Sequence, residues 1–252
     1  MTDSQAEAVW GQVAAHAAAH GRRVSLADVC AVAVGSAHLA GGWLAAARGS
    51  DPDFVMCVTD AVSEQLTELQ LTLGEGPCHD VLASAAPVLA ADLSDAESVQ
   101  RWPGFTPAAR RLGAGAVFAF PLTAGAIRAG VLGLYRGPPG SLSSRQLGDL
   151  LILADAATVM LLDSAHGGAE TEDGSWLDGQ ARDLALHRAE IDQATGMLTV
   201  QLNVSAGEAF VRLRAYAYSQ DRRLADVAGD IVARRLRLPR DQDRDQGPGD
   251  GP

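Results

Sequence analysis

The stretch Ile191-Asp192-Gln193-Ala194-Thr195-Gly196-Met197-Leu198 opens the segment around which the chain is organised. After a short break, Ser205 and Glu208 have the Ser-x-x-Glu spacing, in which both side chains satisfy free backbone donors at a helix start. Asp221 can cap a further helix. Apolar residues then recur at helical spacing, namely Ala209, Phe210, Leu213 and Ala217 in one run and Leu224, Val227, Ala228 and Ile231 in the next. The segment therefore predicts three helices with arginine and tyrosine side chains on their exposed faces.

This C-terminal pattern resembles the ANTAR family of RNA-binding antitermination domains. The resemblance is carried by residues 191–198, Ser205 with 208–210, 213–217 and 224–228, in this order. It implies a domain that binds paired stem-loops in nascent messenger RNA and stabilises an antiterminator over a terminator hairpin. The RNA-binding residues that it implies are Gln193, Thr195, Gly196, Arg212, Arg214, Tyr216, Arg222, Arg223 and Arg234. ANTAR domains often have Lys at the position of Thr195, and the loss of this positive charge weakens the attraction of phosphate without affecting the fold.

The chemistry of these side chains suits RNA, although an ordinary solvated helix face carries the same residue types. Guanidinium groups bind phosphates in a bidentate manner, and aromatic rings stack on unpaired bases. A glycine inside a helix costs about 1 kcal/mol, so Gly196 indicates a close approach by RNA or by a neighbouring helix.

Charge is distributed unevenly along the chain, whose formal net charge is −11. Residues 1–175 contain nine Arg and nineteen acidic residues, whereas residues 176–238 contain nine Arg and eight acidic residues. The C-terminal helices are therefore the region that repels a phosphate backbone least.

Three cysteines without paired spacing argue against a disulfide framework and favour a reducing cytoplasm. The sequence has no basic-then-apolar segment typical of a signal peptide and no apolar run long enough for a bilayer. We therefore expect a cytoplasmic protein.

The region before residue 163 predicts an α+β domain. Helices are expected at residues 4–20, 25–38, 64–73, 78–84, 106–112 and 143–162, and strands at 42–47, 54–59, 87–91, 116–122 and 128–135, with a loop at 92–104. This order suggests an antiparallel sheet with helices on one face and loops on the other. The region resembles a GAF domain, as found before ANTAR domains in actinobacteria, through residues 73–78, 87–92, 130–135 and the helix after Ser143. The resemblance implies a sensor domain that binds a small ligand or only dimerises.

The domains are expected at residues 1–163 and 175–238, with a linker at 164–174 and a disordered tail at 239–252. Leu177, Leu184, Ile191 and Leu198 recur every seven residues, which is typical of a coiled-coil seam. A homodimer through this first helix of the C-terminal domain is one interpretation; an amphipathic helix packed within its own domain is the other.

Cys78 and His79 are adjacent, as in a nucleophile with its base or in a bilin-attachment dipeptide, but no orienting partner is identifiable. The alternative is a half-buried cysteine at a helix start. No zinc spacing, Walker loop or dinucleotide fingerprint was found, so we expect no metal, no cofactor and no enzyme activity. The sequence favours a regulator in which a GAF-like domain controls RNA binding. The alternatives are an interaction module that binds a protein partner and no RNA, an enzyme at Cys78 and His79, and binding of DNA.

Overall fold

The computed structural model describes residues 3–48, 51–166 and 179–239. The chain folds as two compact units, Met1–Ala185 and Leu186–Pro252. The predicted linker at 164–174 and tail at 239–252 lie largely outside the described residues. Within the described part of the chain, no helix combines the length and apolar character that crossing a membrane requires.

The N-terminal unit is built on a five-stranded antiparallel sheet. Its strands are β1 (Gly41–Arg48), β2 (Asp51–Val58), β3 (Val88–Ala90), β4 (Ala116–Ala124) and β5 (Ile127–Arg136). They lie in the spatial order β2-β1-β5-β4-β3. The predicted strands and the hairpin between β4 and β5 are confirmed, because alternating apolar runs separated by turn residues define them locally.

Helices surround this sheet. They are α1 (Asp3–Ala19), α2 (Leu26–Ser36), α3 (Ala61–Leu73), α4 (Pro77–Ser84), α5 (Ala96–Arg101), α6 (Phe105–Arg111) and α7 (Ser144–His166). Reciprocal hydrogen bonds start α7, since Ser143 N donates to Gln146 Oε1 at 2.8 Å and Gln146 N donates to Ser143 Oγ at 3.3 Å. At α2, Ser25 N donates to Asp28 Oδ2 at 2.8 Å. Both capping pairs were predicted from their spacing.

Both faces of the sheet are covered by helices. Phe118 and Phe120 of β4 pack with residues of α1, α2 and α7 on one face, whereas Trp43 and Val117 pack with residues of α3, α4 and α6 on the other. The expectation of loops over the second face was wrong, because the helices α3, α4 and α6 pack on it. A further short helix, α5, lies in the segment predicted as a loop, and Asp95 caps it by accepting from Ser98 N at 2.6 Å.

The Gly-Glu-Gly-Pro motif at residues 74–77 joins these short helices. Gly74 ends α3 in the left-handed conformation, and Glu75 Oε1 accepts from the backbone N of Gly104 at 2.6 Å and of Phe105 at 2.7 Å. Gln70 Oε1 accepts from Cys78 N at 2.8 Å. These contacts give the motif a structural role: it connects α3, α4 and the start of α6.

The C-terminal unit contains α8 (Gly179–Leu202), α9 (Ala206–Ser219) and α10 (Leu224–Val232); the unit boundary falls within α8. Ser205 caps α9 as predicted, accepting from Glu208 N at 3.2 Å, but the Glu208 carboxylate accepts from Arg212 instead of from the cap backbone. The N-cap of α10 is Arg223, not the predicted Asp221, whose φ of 49° lies outside the extended region of a cap residue.

Candidate nucleic-acid interface

One face of α8 is buried and the opposite face is open to solvent. Ala194 and Leu198 are fully buried, whereas Gln193 and Gly196 are exposed. This division follows from the sequence, because residues three and four apart share one side of a helix. The open face of α8 can therefore meet a partner without any change in the packing of the unit.

Gly196 and Thr195 differ in what surrounds them. A Cβ atom added at Gly196 would meet nothing within 4 Å, so packing within the described chain does not require glycine there. No neighbouring helix in the described part of the chain lies close to Gly196, which leaves RNA as the other interpretation of this glycine. The Thr195 hydroxyl donates to Ile191 O at 2.7 Å, so its hydrogen is already used in a bond within α8.

The predicted arginines of α9 are engaged by neighbours on their own helix. Arg212 donates to Glu208 Oε1 at 2.7 Å, and the guanidinium of Arg214 lies 5.6 Å from the ring centroid of Phe210. Tyr216 is half-buried. An incoming phosphate would compete with Glu208 for Arg212, and the guanidinium of Arg214 would approach it from the ring of Phe210.

Two arginines converge on Asp230. Arg222 donates to Asp230 Oδ2 at 2.6 Å, and Arg235 donates to Asp230 Oδ1 at 2.8 Å. The hydrogen bond from Arg222, with that from Arg235, lowers the pKa of Asp230, and the hydrogen bond to Asp230 raises the pKa of Arg222. The cluster has two positive charges and one negative charge, so half of its cationic charge is neutralised internally.

An open groove of about 720 Å³ runs between the exposed face of α8 and the chain that follows α10. It is lined by Gln193, Gly196, Met197, Val200, Gln201, Ile231, Arg234, Leu236 and Arg237. Gln201 Nε2 donates to Leu238 O at 2.8 Å and holds the two walls together. Arg234 has a φ of 59°, which turns the chain out of the helix. Residues 231–238 therefore form the second wall of the groove, and α8 forms the first.

The groove combines cationic and apolar groups. Arg234 and Arg237 are exposed, and in the described part of the chain neither guanidinium has a carboxylate or hydrogen-bond partner. Val200 is 83% exposed, a large value for an apolar side chain. Two unpaired cations beside an apolar surface are suited to a ligand that has both anionic groups and flat apolar faces.

The groove contains only part of the predicted RNA-binding set. Gln193, Gly196 and Arg234 line it, whereas the other predicted residues do not, namely Thr195, Arg212, Arg214, Tyr216, Arg222 and Arg223. Arg237, Met197 and Val200 were not predicted. The Arg-Arg-Leu-Arg run at 234–237 is a cationic signal in the sequence that the prediction did not use, and its approach to α8 is a tertiary contact that no local pattern encodes.

The predicted dimer seam lies partly in the protein interior. Ile191 is 5% exposed and Leu198 is fully buried, so for these two residues the burial favours an amphipathic helix packed within its own domain. Leu177 and the side chain of Leu184 lie outside the described residues.

The Cys78 and His79 pair lacks the geometry of a nucleophile with its base. The Cys78 thiol is 1% exposed and accepts a hydrogen bond from Trp43 Nε1 at 3.4 Å. Burial raises the pKa of Cys78 to about 12, which suppresses the reactive thiolate. The His79 ring instead contacts Gln70 O at 3.0 Å.

Family models match parts of both units. A family model for the GAF domain matches residues 12–161, and one for the ANTAR domain matches residues 179–232. No curated protein matches the chain.

Solved structures similar to the chain include GAF domains of bacterial proteins. One, from the phosphoenolpyruvate-protein phosphotransferase of Acinetobacter, is 13% identical, with coverage of 68% of this chain and 100% of that chain and a TM-score of 0.47. The corresponding domain of Coxiella burnetii is 16% identical, covers 65% of this chain and 95% of that chain, and has a TM-score of 0.48. The GAF-B domain of DevS from Mycobacterium smegmatis is 19% identical, with coverage of 55% of this chain and 91% of that chain and a TM-score of 0.39.

Proposed function

The chain belongs to the GAF domain family through residues 12–161 and carries an ANTAR domain at residues 179–232, and from this we propose that it is a transcription antitermination regulator. Both domains are regulatory types: GAF domains sense signals, and ANTAR domains bind RNA in antitermination. In the proposed function, the C-terminal unit binds RNA stem-loops in nascent messenger RNA under the control of the N-terminal unit.

The groove of the C-terminal unit is the observation that carries the proposal. RNA loops offer phosphates for guanidinium groups and unstacked bases for apolar or aromatic surfaces. Arg234 and Arg237 provide the first kind of contact, and Met197 with Val200 provides a surface for the second. Gly196 lets a base or a sugar approach the backbone of α8, since its surroundings are open.

The other predicted residues extend this surface in the proposal. Gln193 can hydrogen-bond a base edge, and Arg214 presents a guanidinium already stacked on Phe210. Arg212 would exchange Glu208 for a phosphate, and Arg222 and Arg223 would add charge before α10. The hydroxyl of Thr195 contributes least, because Ile191 O already accepts its hydrogen.

Control by the N-terminal unit is proposed to be a population shift. A signal that favours one conformation of the GAF domain changes the fraction of chains whose RNA-binding surface is accessible. A homodimer remains part of the proposal through Leu177 and Leu184. Sedimentation equilibrium of wild type and Leu184→Glu would test it, since a dimer through this helix should become a monomer.

RNA retention by the purified full chain tests the function. Short hairpins with randomised loops would be selected on the wild type, and the best binder would be measured by gel shift. We expect Arg234→Ala and Arg237→Ala each to weaken binding about tenfold, as for the loss of one charged hydrogen bond.

Arg235→Ala is the matched control, because it removes the same charge from the same segment but from a residue paired with Asp230. It should weaken binding less than either groove variant. If no hairpin is retained above background, the chain is an interaction module without RNA. If duplex DNA competes as well as the hairpin, the target is DNA.

A further inference from the structure

Two histidines near the end of α1 have their Nδ1 atoms hydrogen-bonded to oxygen acceptors. His16 Nδ1 lies 2.7 Å from Asp28 Oδ1, and His20 Nδ1 lies 2.8 Å from the backbone O of His16. Asp28 is fully buried, and its carboxylate also accepts from Arg22 and Ser25. Because ionised carboxylate and carbonyl oxygens only accept, the hydrogen of each neutral ring is on Nδ1.

This tautomer leaves the Nε2 lone pairs of both rings available. In the described part of the chain, no protein group is hydrogen-bonded to Nε2 of either ring. His16 is half-buried and His20 is exposed, so solvent reaches both. A neutral imidazole held at one nitrogen by a carboxylate or a carbonyl is the usual arrangement of a metal-binding histidine.

The two rings are also placed on the same side of α1. They are four residues apart, and their centroids lie 4.7 Å from each other. One nitrogen of each ring and one carboxylate oxygen of Asp28 all lie within 4.8 Å of one another. Two imidazole nitrogens on one tetrahedral ion, with bonds of about 2.05 Å, stand roughly 3.3 Å apart. The centroid separation of 4.7 Å is compatible with such a spacing of the two Nε2 atoms.

We propose that Nε2 of His16 and Nε2 of His20 bind one divalent ion of the zinc, cobalt or nickel class, with Asp28 orienting the ring of His16. Imidazole nitrogen is a preferred ligand for these ions, and water completes the coordination. Because Asp28 belongs to α2, the bound ion links the last turn of α1 to the first turn of α2. The site belongs to the N-terminal unit, and the proposal does not depend on the proposed function.

Helix termination explains only part of this geometry. The amide of His20 bonds to Ala17 O at 3.1 Å, so the carbonyl of His16 needs another donor, which the His20 ring supplies. That role requires one histidine. It does not account for the second ring, His16, whose centroid lies 4.7 Å from that of His20 at an interplanar angle of 39° and whose Nδ1 is hydrogen-bonded to Asp28.

Metal binding by the full chain, purified without a polyhistidine tag, tests the proposal. Cobalt would be titrated and followed by its visible absorption bands, zinc would then be used in competition, and stoichiometry would come from calorimetry. We expect one ion per chain. His16→Ala and His20→Ala should abolish saturable binding, and Asp28→Asn should weaken it about 10- to 100-fold, as for an outer-sphere partner.

His187→Ala, on α8, is the control and should bind as the wild type does. Circular dichroism of each variant without metal checks that it is folded. If His16→Ala does not fold, the metal affinity of His20→Ala tests the proposal, because His20 is exposed. The proposal is overturned if His20→Ala keeps the wild-type affinity, if the wild type binds no ion, or if nitrogen-15 shifts place the hydrogen of both rings on Nε2.

Discussion

Cys78 is a residue whose surroundings decide its chemistry. Its thiol is buried and accepts from Trp43 Nε1, and burial raises its pKa to about 12. Alkylation requires the thiolate, so we expect iodoacetamide to leave Cys78 unmodified in the native protein at pH 8 and to modify it in denaturant. Mass spectrometry of tryptic peptides measures this. Half-buried Cys57 is the internal reference, and rapid native labelling of Cys78 would reopen the enzyme alternative.

Tyr135 should make unfolding depend on pH in alkaline solution. Burial, together with the neighbouring charge of Asp60, raises the pKa of Tyr135 to about 12, against about 10 in the unfolded chain. Its contribution to stability is therefore complete below pH 10 and is lost as the pH rises towards 12. Urea unfolding at pH 9 and pH 11 should show a larger loss for wild type than for Tyr135→Phe. Equal losses would contradict this assignment.

The sheet depends on the pairing of a large residue with a glycine across strands. Trp43 of β1 is the partner of Gly133 of β5, and a Cβ atom at Gly133 would lie 2.1 Å from Trp43 Cε2. Gly133→Ala should therefore destabilise the N-terminal unit by about 3 kcal/mol, the upper range for overpacking a core. Chemical denaturation measures the change. Gly11→Ala, on α1 with nothing within 4 Å of its Cβ position, is the control and should not destabilise.

Helix α8 allows stability and binding to be separated at a single position. Gly196→Ala places a methyl group in open space, and alanine favours a helix by about 1 kcal/mol over glycine. We expect the C-terminal unit to become more stable while hairpin affinity falls, because the methyl group blocks close approach. Thermal unfolding and gel shift on the same sample test both parts. A variant that is more stable and binds normally would show that RNA does not approach α8 at this point.

Elements with local sequence patterns were predictable, and features made by tertiary contacts were not. Ser143 with Gln146 marked the start of α7, because both partners lie within one turn. Helix α5 has six residues, too few for a periodic pattern. The groove forms because Arg234 and Arg237 approach α8. The histidine pair is recognised as a candidate metal site because Asp28, on another helix, is hydrogen-bonded to His16. Sequence periodicity predicts which face of a helix or strand is buried, but it does not predict which other element packs against that face.

At the scale of the whole molecule, charge limits how RNA can be bound. The chain has a net charge of −11, and residues 176–238 contain nine Arg against eight acidic residues. A general electrostatic attraction is therefore absent, and affinity must come from a few arginines placed where their charge is not neutralised. Arg234 and Arg237 satisfy that condition in the groove. Asp230 neutralises part of the charge of Arg222 and Arg235.

This charge distribution predicts that RNA binding depends only modestly on salt concentration. A few arginines should account for that dependence. Each phosphate neutralised on a single strand contributes about −0.7 to the slope of log K against log salt. We expect Arg234→Ala and Arg237→Ala each to reduce the slope by about that amount, and Arg235→Ala to reduce it less. Titrations at several potassium chloride concentrations measure the three slopes. If all three variants shift the affinity equally and leave the slope unchanged, the arginines act through folding and not through phosphate contact.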